Sequence, residues 1–209
     1  MFNKIIYRSS ALLLLLFCLL ACQEELIPIP KPRLYPKVEY PTRNYTSLDK
    51  DYCAFRFEYP DYMKFEQDTT LGNQKAKHAC WFNLNIPVLN GVVHFTYTDI
   101  SGDNASEKLF DTFKDSYDLT EKHNRKAGGR KTIMIEVDEK NLYGVSYSVE
   151  GDVASPYHFL LTDSTNHALW ASLYFNSRPQ ADSMRPIVDF VKEDLEKIIT
   201  SFEWNAATN

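Results

Sequence analysis

The sequence is poor in glycine, with 7 in 209 residues, and neither a P-loop nor GxGxxG occurs in it. Those are the usual signatures of phosphate binding at a helix N-terminus. HExxH and GxSxG are missing too, which removes the zincin and hydrolase-elbow signals. No cysteine or histidine stands at CxxC or HxxxH spacing. A structural metal would therefore lack a ligand set, and no metal or organic cofactor is expected. Neither charge sign dominates: 23 basic residues face 28 acidic ones, a net −5. That balance gives no electrostatic footing for nucleic-acid binding. No apolar run reaches the roughly 20 residues of a membrane-spanning helix.

The chain does have a short, well-formed N-terminal signal. Lys4 and Arg8 precede residues 11–22, which carry no charge. The segment matches the h-region of an export signal. It ends in Leu19-Leu20-Ala21-Cys22, which reads as a bacterial lipobox. In that chemistry the Cys22 thiol receives a diacylglyceryl group, cleavage follows Ala21, and the new amine is acylated. Each buried methylene adds about 0.8 kcal/mol of membrane affinity, so two or three chains hold firmly. Cleavage removes two basic residues, which leaves 21 against 28 acidic.

The expected organisation is a signal peptide over 1–21, a lipidated cysteine and proline-rich tether over 22–50, one globular domain over 51–205, and a disordered tail over 206–209. Pro28, Pro30, Pro32, Pro36 and Pro41 punctuate the tether. Such spacing favours polyproline-like chain at about 3.1 Å per residue, so residues 26–41 span roughly 50 Å. Leu34, Tyr35, Val38, Tyr40 and Tyr45 make it too apolar for a plain linker. It is expected to lie along its own domain or along a partner.

Within the domain, period-two runs predict strands at FRFEYP, CWFNLNIP, VVHFTYTDI, TIMIEV, LYGVSYSVEG, YHFLLTDS and HALWASLYF. Asn90-Gly91 marks a hairpin. Residues 61–78 read as a polar loop. A first helix opens at Asn104 with Glu107 as its capping partner and presents Leu109, Phe113, Tyr117 and Thr120. Gly128-Gly129 reads as its stop. A second long helix starts near Asp182 or Ser183, since Pro186 suits only a first turn. The fold class is α+β: an antiparallel sheet of six to seven strands packed with two main helices. The element order resembles the PsbP/Mog1-type α/β sandwich.

Cys53 shares parity with Phe55 and Phe57, and Cys80 with Phe82 and Leu84. Both cysteines therefore point to the apolar side of their strands. In an oxidising compartment Cys53 and Cys80 are expected to form a disulfide, the alternative being two buried free thiols. A bridge would contribute about 3–4 kcal/mol in the chain-entropy model.

Catalytic candidates are sparse. His94 and His158 alternate with apolar neighbours, as second-face strand residues do. His123 and Lys126 suit a helix C-terminus; His78 and His167 stand alone. Asp152 and Asp163 flank one strand and form a candidate acid–base pair, although turns attract aspartate for local hydrogen bonding. Tyr143, Tyr147, Tyr157 and Trp170 form a candidate aromatic ligand surface, although their strand positions read first as core. Asn44-Tyr45-Thr46 and Asn104-Ala105-Ser106 match glycosylation sequons, read as chance in a chain with a lipobox.

Several stretches occur together, in order: PKPRLYP, DYCAFRFEYPDY, ACWFNLNIPVLNG, TEKHNRKA and EGDVASPYHFLLTDSTNHALWASLYFNSRPQADS. In this order they resemble the gliding motility lipoprotein GldD family, across nearly all of the mature chain. Gly128-Gly129 after KHNRKA departs from that pattern. The resemblance implies a cell-envelope lipoprotein of gliding bacteria, linked to type IX secretion, with no catalytic or cofactor residues. It maps Cys22 to the lipidated cysteine, and Cys53 and Cys80 to the family's two cysteines near the first strands. The expected function is that of an outer-membrane-anchored accessory or assembly component. It would face the periplasm and work through protein–protein contacts with gliding and secretion proteins. Gln23 lacks the aspartate tied to inner-membrane retention, while Glu24-Glu25 resemble acidic surface-export signals. The alternatives are a cell-wall- or lipid-modifying enzyme and a small-ligand-binding lipoprotein.

Overall fold

The computed structural model describes residues 37–68, 70–71, 74–124 and 127–205. The expectations for the signal peptide, Cys22 and residues 206–209 lie outside them. A seven-stranded antiparallel sheet forms the centre. Its order is β3 (Lys64–Gln67), β6 (Phe82–Ile86), β7 (Gly91–Asp99), β11 (His167–Phe175), β10 (Tyr157–Thr162), β9 (Leu142–Gly151) and β8 (Ala127–Val137). A smaller sheet joins β1 (Tyr45–Asp49), β2 (Phe55–Pro60) and β12 (Glu203–Trp204). Thr70–Leu71 and Gln74–Lys75 form a short hairpin, β4 and β5. Helix α1 spans Ala105–Asn124 and α2 spans Ala181–Ser201.

The large sheet is apolar on both faces, so it needs cover on both. On one face, Phe82, Phe95, Phe159, Leu169 and Leu173 pack with Phe55 and Phe57 of the small sheet and with Val191, Leu195, Ile198 and Phe202. The Phe82 and Phe95 rings stack at 4.5 Å, and Phe55 meets Phe202 at 5.3 Å. Each fully buried side chain of this size contributes about 1.5–3 kcal/mol. On the other face, Leu109 and Phe113 of α1 pack with Val145, Tyr147 and Leu160. Cys53 and Cys80 form a disulfide with Cα atoms 5.4 Å apart. It joins the chain entering β2 to the chain entering β6, and so links the two sheets at one end.

Two hairpins use one device. A 3-10 turn (Pro87–Leu89, Asp138–Lys140) is followed by a left-handed asparagine, Asn90 at φ 51° and Asn141 at φ 45°. Asparagine tolerates this region better than other non-glycine residues. Gly144 answers a different need. A Cβ there would run into the Leu160 carbonyl of β10.

Several local expectations change. Residues 61–78 hold an edge strand, β3, and a hairpin rather than a loop. KFEQ is mostly exposed and carries one apolar residue, so it shows no alternation. Gly128-Gly129 lie inside β8, at a register shift between Ala127 and Gly129. A bulge accommodates glycine without ending the strand. Tyr117 is exposed and Ser116 turns inward in its place, while Thr120 is buried as its position on the stripe predicts. The Ser116 and Thr120 hydroxyls bond to the Phe113 and Ser116 carbonyls, which lets polar groups sit at the interface. Residues 45–49, within the stretch marked as tether, are a strand paired with β2. Helix α2 starts at Ala181, which puts Pro186 in its second turn.

Candidate functional site

Helix α2 carries features on two sides. On one, Asp194 is fully buried. Its Oδ1 accepts the Tyr45 hydroxyl at 2.7 Å, and its Oδ2 accepts the Tyr62 hydroxyl. Arg43 Nε lies 3.0 Å from Oδ1. The same guanidinium pairs with Glu193 at 2.6 Å, donates to the Phe190 carbonyl at 2.7 Å and stacks on the Phe190 ring at 4.1 Å. Tyr40 adds a ring contact to Phe190 at 4.6 Å. The chain leading into β1 is thereby clasped to α2. Burial and the Asp194 bond push the Tyr45 phenol up to about 12, and the same causes raise Tyr62 further. Both phenols therefore stay protonated and keep donating at physiological pH.

On the other side, the first turns of α2 border a cleft of about 230 Å³. Val149, Val153, Pro156, Phe175, Met184 and Val188 supply apolar wall, and Glu150, Arg185, Asp189 and Lys192 supply charge. The loop between β9 and β10 shapes one side. Asp152 Oδ1 in that loop accepts the Ala181 N–H at 2.6 Å and so caps α2 from outside the helix. Gln180, at the N-cap itself, makes no side-chain cap bond.

The catalytic candidates are not brought together. Asp152 caps α2. Asp163 Oδ1 accepts the N–H groups of Thr165, Asn166 and His167. Burial would raise the Asp163 pKa, but those bonds outweigh it and hold the carboxylate below its usual range. The two aspartates lie beyond opposite ends of β10, which is roughly 20 Å long. They cannot share a substrate as acid and base.

The histidines are engaged locally. His158 is buried; its Nε2 sits 3.2 Å from the Ser155 carbonyl, which can only accept, so Nε2 carries the proton. Nδ1 is then the acceptor for Ser172 Oγ at 3.0 Å, and the ring stacks on Trp170. His78 Nδ1 accepts the Cys80 N–H, His94 meets Asn83, and His167 meets the Tyr97 hydroxyl. His123 falls in the last turn of α1, and its side chain lies outside the described residues. Tyr147 packs with the α1-side cluster and Tyr157 with the opposite core, so the four aromatics do not form one surface. Trp170 is half-buried beside Tyr147, and Tyr143 donates to Asp138. Among the described residues, no three of His, Cys, Asp and Glu converge as a metal site requires. No helix among them is long and apolar enough to cross a membrane.

Sequence reasoning missed Arg43, Tyr62 and Asp194. A signal existed. Asp194 follows Val191 by three and precedes Ile198 by four, so it occupies an inward position of an apolar stripe. A carboxylate there demands buried donors.

A solved structure of cyanobacterial PsbP (CyanoP) from Synechocystis sp. PCC 6803 matches at 14% identity and a TM-score of 0.44, covering 82% of this chain and 98% of that one. No curated protein matches. The family model described as gliding motility lipoprotein GldD matches residues 25–204. That span runs from just after the lipobox through the clasp, the disulfide, the cleft and β12, and the chain belongs to the gliding motility lipoprotein GldD family.

Proposed function

We propose that this gliding-motility lipoprotein is held in the outer membrane by acyl chains on Cys22, facing the periplasm. There it serves as an accessory or assembly component of the gliding and type IX secretion machinery, through protein–protein contacts. The observation that carries this reading is the clasp on Asp194. It costs a buried carboxylate and fixes the chain on the anchor side of β1 against α2. A domain that only needed a loose tether would not require it. Phe110 of α1, 66% exposed, leaves an apolar side chain for a partner to cover. Cross-linking from the domain in intact gliding cells, followed by purification, tests the reading. Other gliding or secretion envelope proteins are expected in the product. Recovery of the same background proteins without cross-linker would defeat it.

The cleft beside α2 favours a second reading, a ligand-binding lipoprotein. A rise in melting temperature with an envelope metabolite would support it. The enzyme alternative has lost its acid–base pair.

A further inference from the structure

The two edges of the large sheet differ. β3 is four residues long and carries Lys64 and Glu66. β8 is eleven residues long, and among the described residues it pairs on one side only. Residues 131–134 are exposed at its middle, with Ile133 at 41% and Met134 at 73%. A long edge with apolar side chains at its centre is a template for another strand, and soluble proteins usually blunt such edges.

The charges on β8 say which strand fits. Arg130 and Lys131 occupy the first half; Glu136 lies near the end, followed by Asp138 and Glu139. Run antiparallel to itself, the strand places its basic half against its acidic half. Antiparallel pairing about a two-fold axis requires a residue to face its own copy, because opposed pairs alternate in hydrogen-bonding type. With Ile133 on the axis, Arg130 faces Glu136 of the second copy, and Thr132 faces Met134. Arg130, Thr132, Met134 and Glu136 share one face of β8, opposite Val149, Tyr147, Val145 and Tyr143 of β9. On the other face Ile133 meets itself between two Lys131–Ile135 pairs. Every charge lands beside an opposite charge or an apolar residue. Glu121 already orients Arg130 at 2.9 Å, and the ring of Tyr117 lies 4.9 Å from its guanidinium.

We infer that a second copy of this chain pairs with β8 edge to edge, antiparallel and centred on Ile133, joining two seven-stranded sheets into one. Such an interface is isologous and closes on itself as a dimer. It does not depend on which envelope partner the domain serves.

Directly opposed residues have Cα atoms about 4.5–5.5 Å apart, within the roughly 4.4–6.8 Å that a disulfide spans. The full-length lipoprotein carrying Ile133→Cys, expressed in its own envelope, is therefore expected to give a band of doubled mass on non-reducing gels. Val88→Cys, at a position 60% exposed but off this edge, is expected to stay monomeric. Adding Glu136→Arg to Ile133→Cys sets arginine against arginine in two symmetric pairs and should cut the doubled band about tenfold. Loss of the native Cys53–Cys80 link would reveal a misfolded variant, and chemical cross-linking of the unaltered protein then gives the mass directly. A monomer at Ile133→Cys, equal dimer at Val88→Cys, or a cross-linked band of another mass would overturn the proposal.

Discussion

Arg43 Nε stands 3.0 Å from Oδ1 of Asp194, although the two lie 151 positions apart in the chain. The carboxylate is fully buried, and the arginine side chain is 29% exposed. Burying such a charge is costly unless it is paired and hydrogen-bonded, and here two phenols donate to it and a guanidinium supplies the opposite charge. Removing one partner leaves the rest uncompensated. Arg43→Ala is expected to destabilise the domain by about 3–5 kcal/mol in urea unfolding. Tyr62→Phe removes one neutral donor and should cost about 1–3 kcal/mol. If both variants unfold with the unaltered midpoint, the clasp contributes nothing to stability.

The Cys53–Cys80 bridge closes a separation of 27 residues and ties the two sheets at one end. Cys53→Ala/Cys80→Ala should lose about 3–4 kcal/mol, seen as a lower melting temperature that reductant no longer changes. An unaltered melting temperature would contradict the role of the bridge.

Gly144 marks the close approach of β9 to β10. Gly144→Ala presses a methyl group onto backbone rather than onto a flexible side chain. Overpacking of this kind costs at least about 1–3 kcal/mol. Calorimetry of the variant against the unaltered chain reads it.

Asp163 gives a pH dependence of defined sign. Its folded pKa lies below the ordinary carboxylate value, because three N–H groups bond to the ionised form. Its stabilisation is therefore present above the unfolded pKa of about 4 and is lost as pH falls through the folded value. Asp163→Ala should be less stable than the unaltered protein at pH 7, with the gap narrowing below pH 4. A gap that stays constant or widens in acid would refute this assignment.

Much of this fold was legible in the sequence. LYGVSYSVEG alternates over most of its length, HALWASLYF is apolar at both parities as a central strand covered on both faces requires, and β9 and β11 coincide with them. Parity also placed Cys53 and Cys80 on the apolar side, where burial is 4% and 0% exposed. What escaped were elements specified by tertiary contact. β3 has too little apolar surface to alternate, and β12 is two residues long. β1 begins beside a run of prolines, whose local signal is extended chain; its strand identity comes from pairing with β2. Tyr117 lies on the same helical stripe as Phe113, but Arg130 and Glu121 hold the helix edge so that the ring faces outward. For the candidate site, Asp152 and Asp163 were visible as turn residues. The clasp brings Arg43 and Tyr45, Tyr62 and Asp194 together from three distant stretches of chain, so only the misplaced polarity of Asp194 announced it.

The proposed role in gliding, as a lipid-anchored envelope protein, rests on acylation of Cys22. It is tested most directly by Cys22→Ala in the full chain, expressed in gliding cells at the normal level. Fractionation and single-cell tracking are read together. The protein is expected to leave the outer-membrane fraction, and gliding is expected to stop. Cells that glide normally with an unacylated protein, or a protein that stays in the outer membrane without its cysteine, would contradict it.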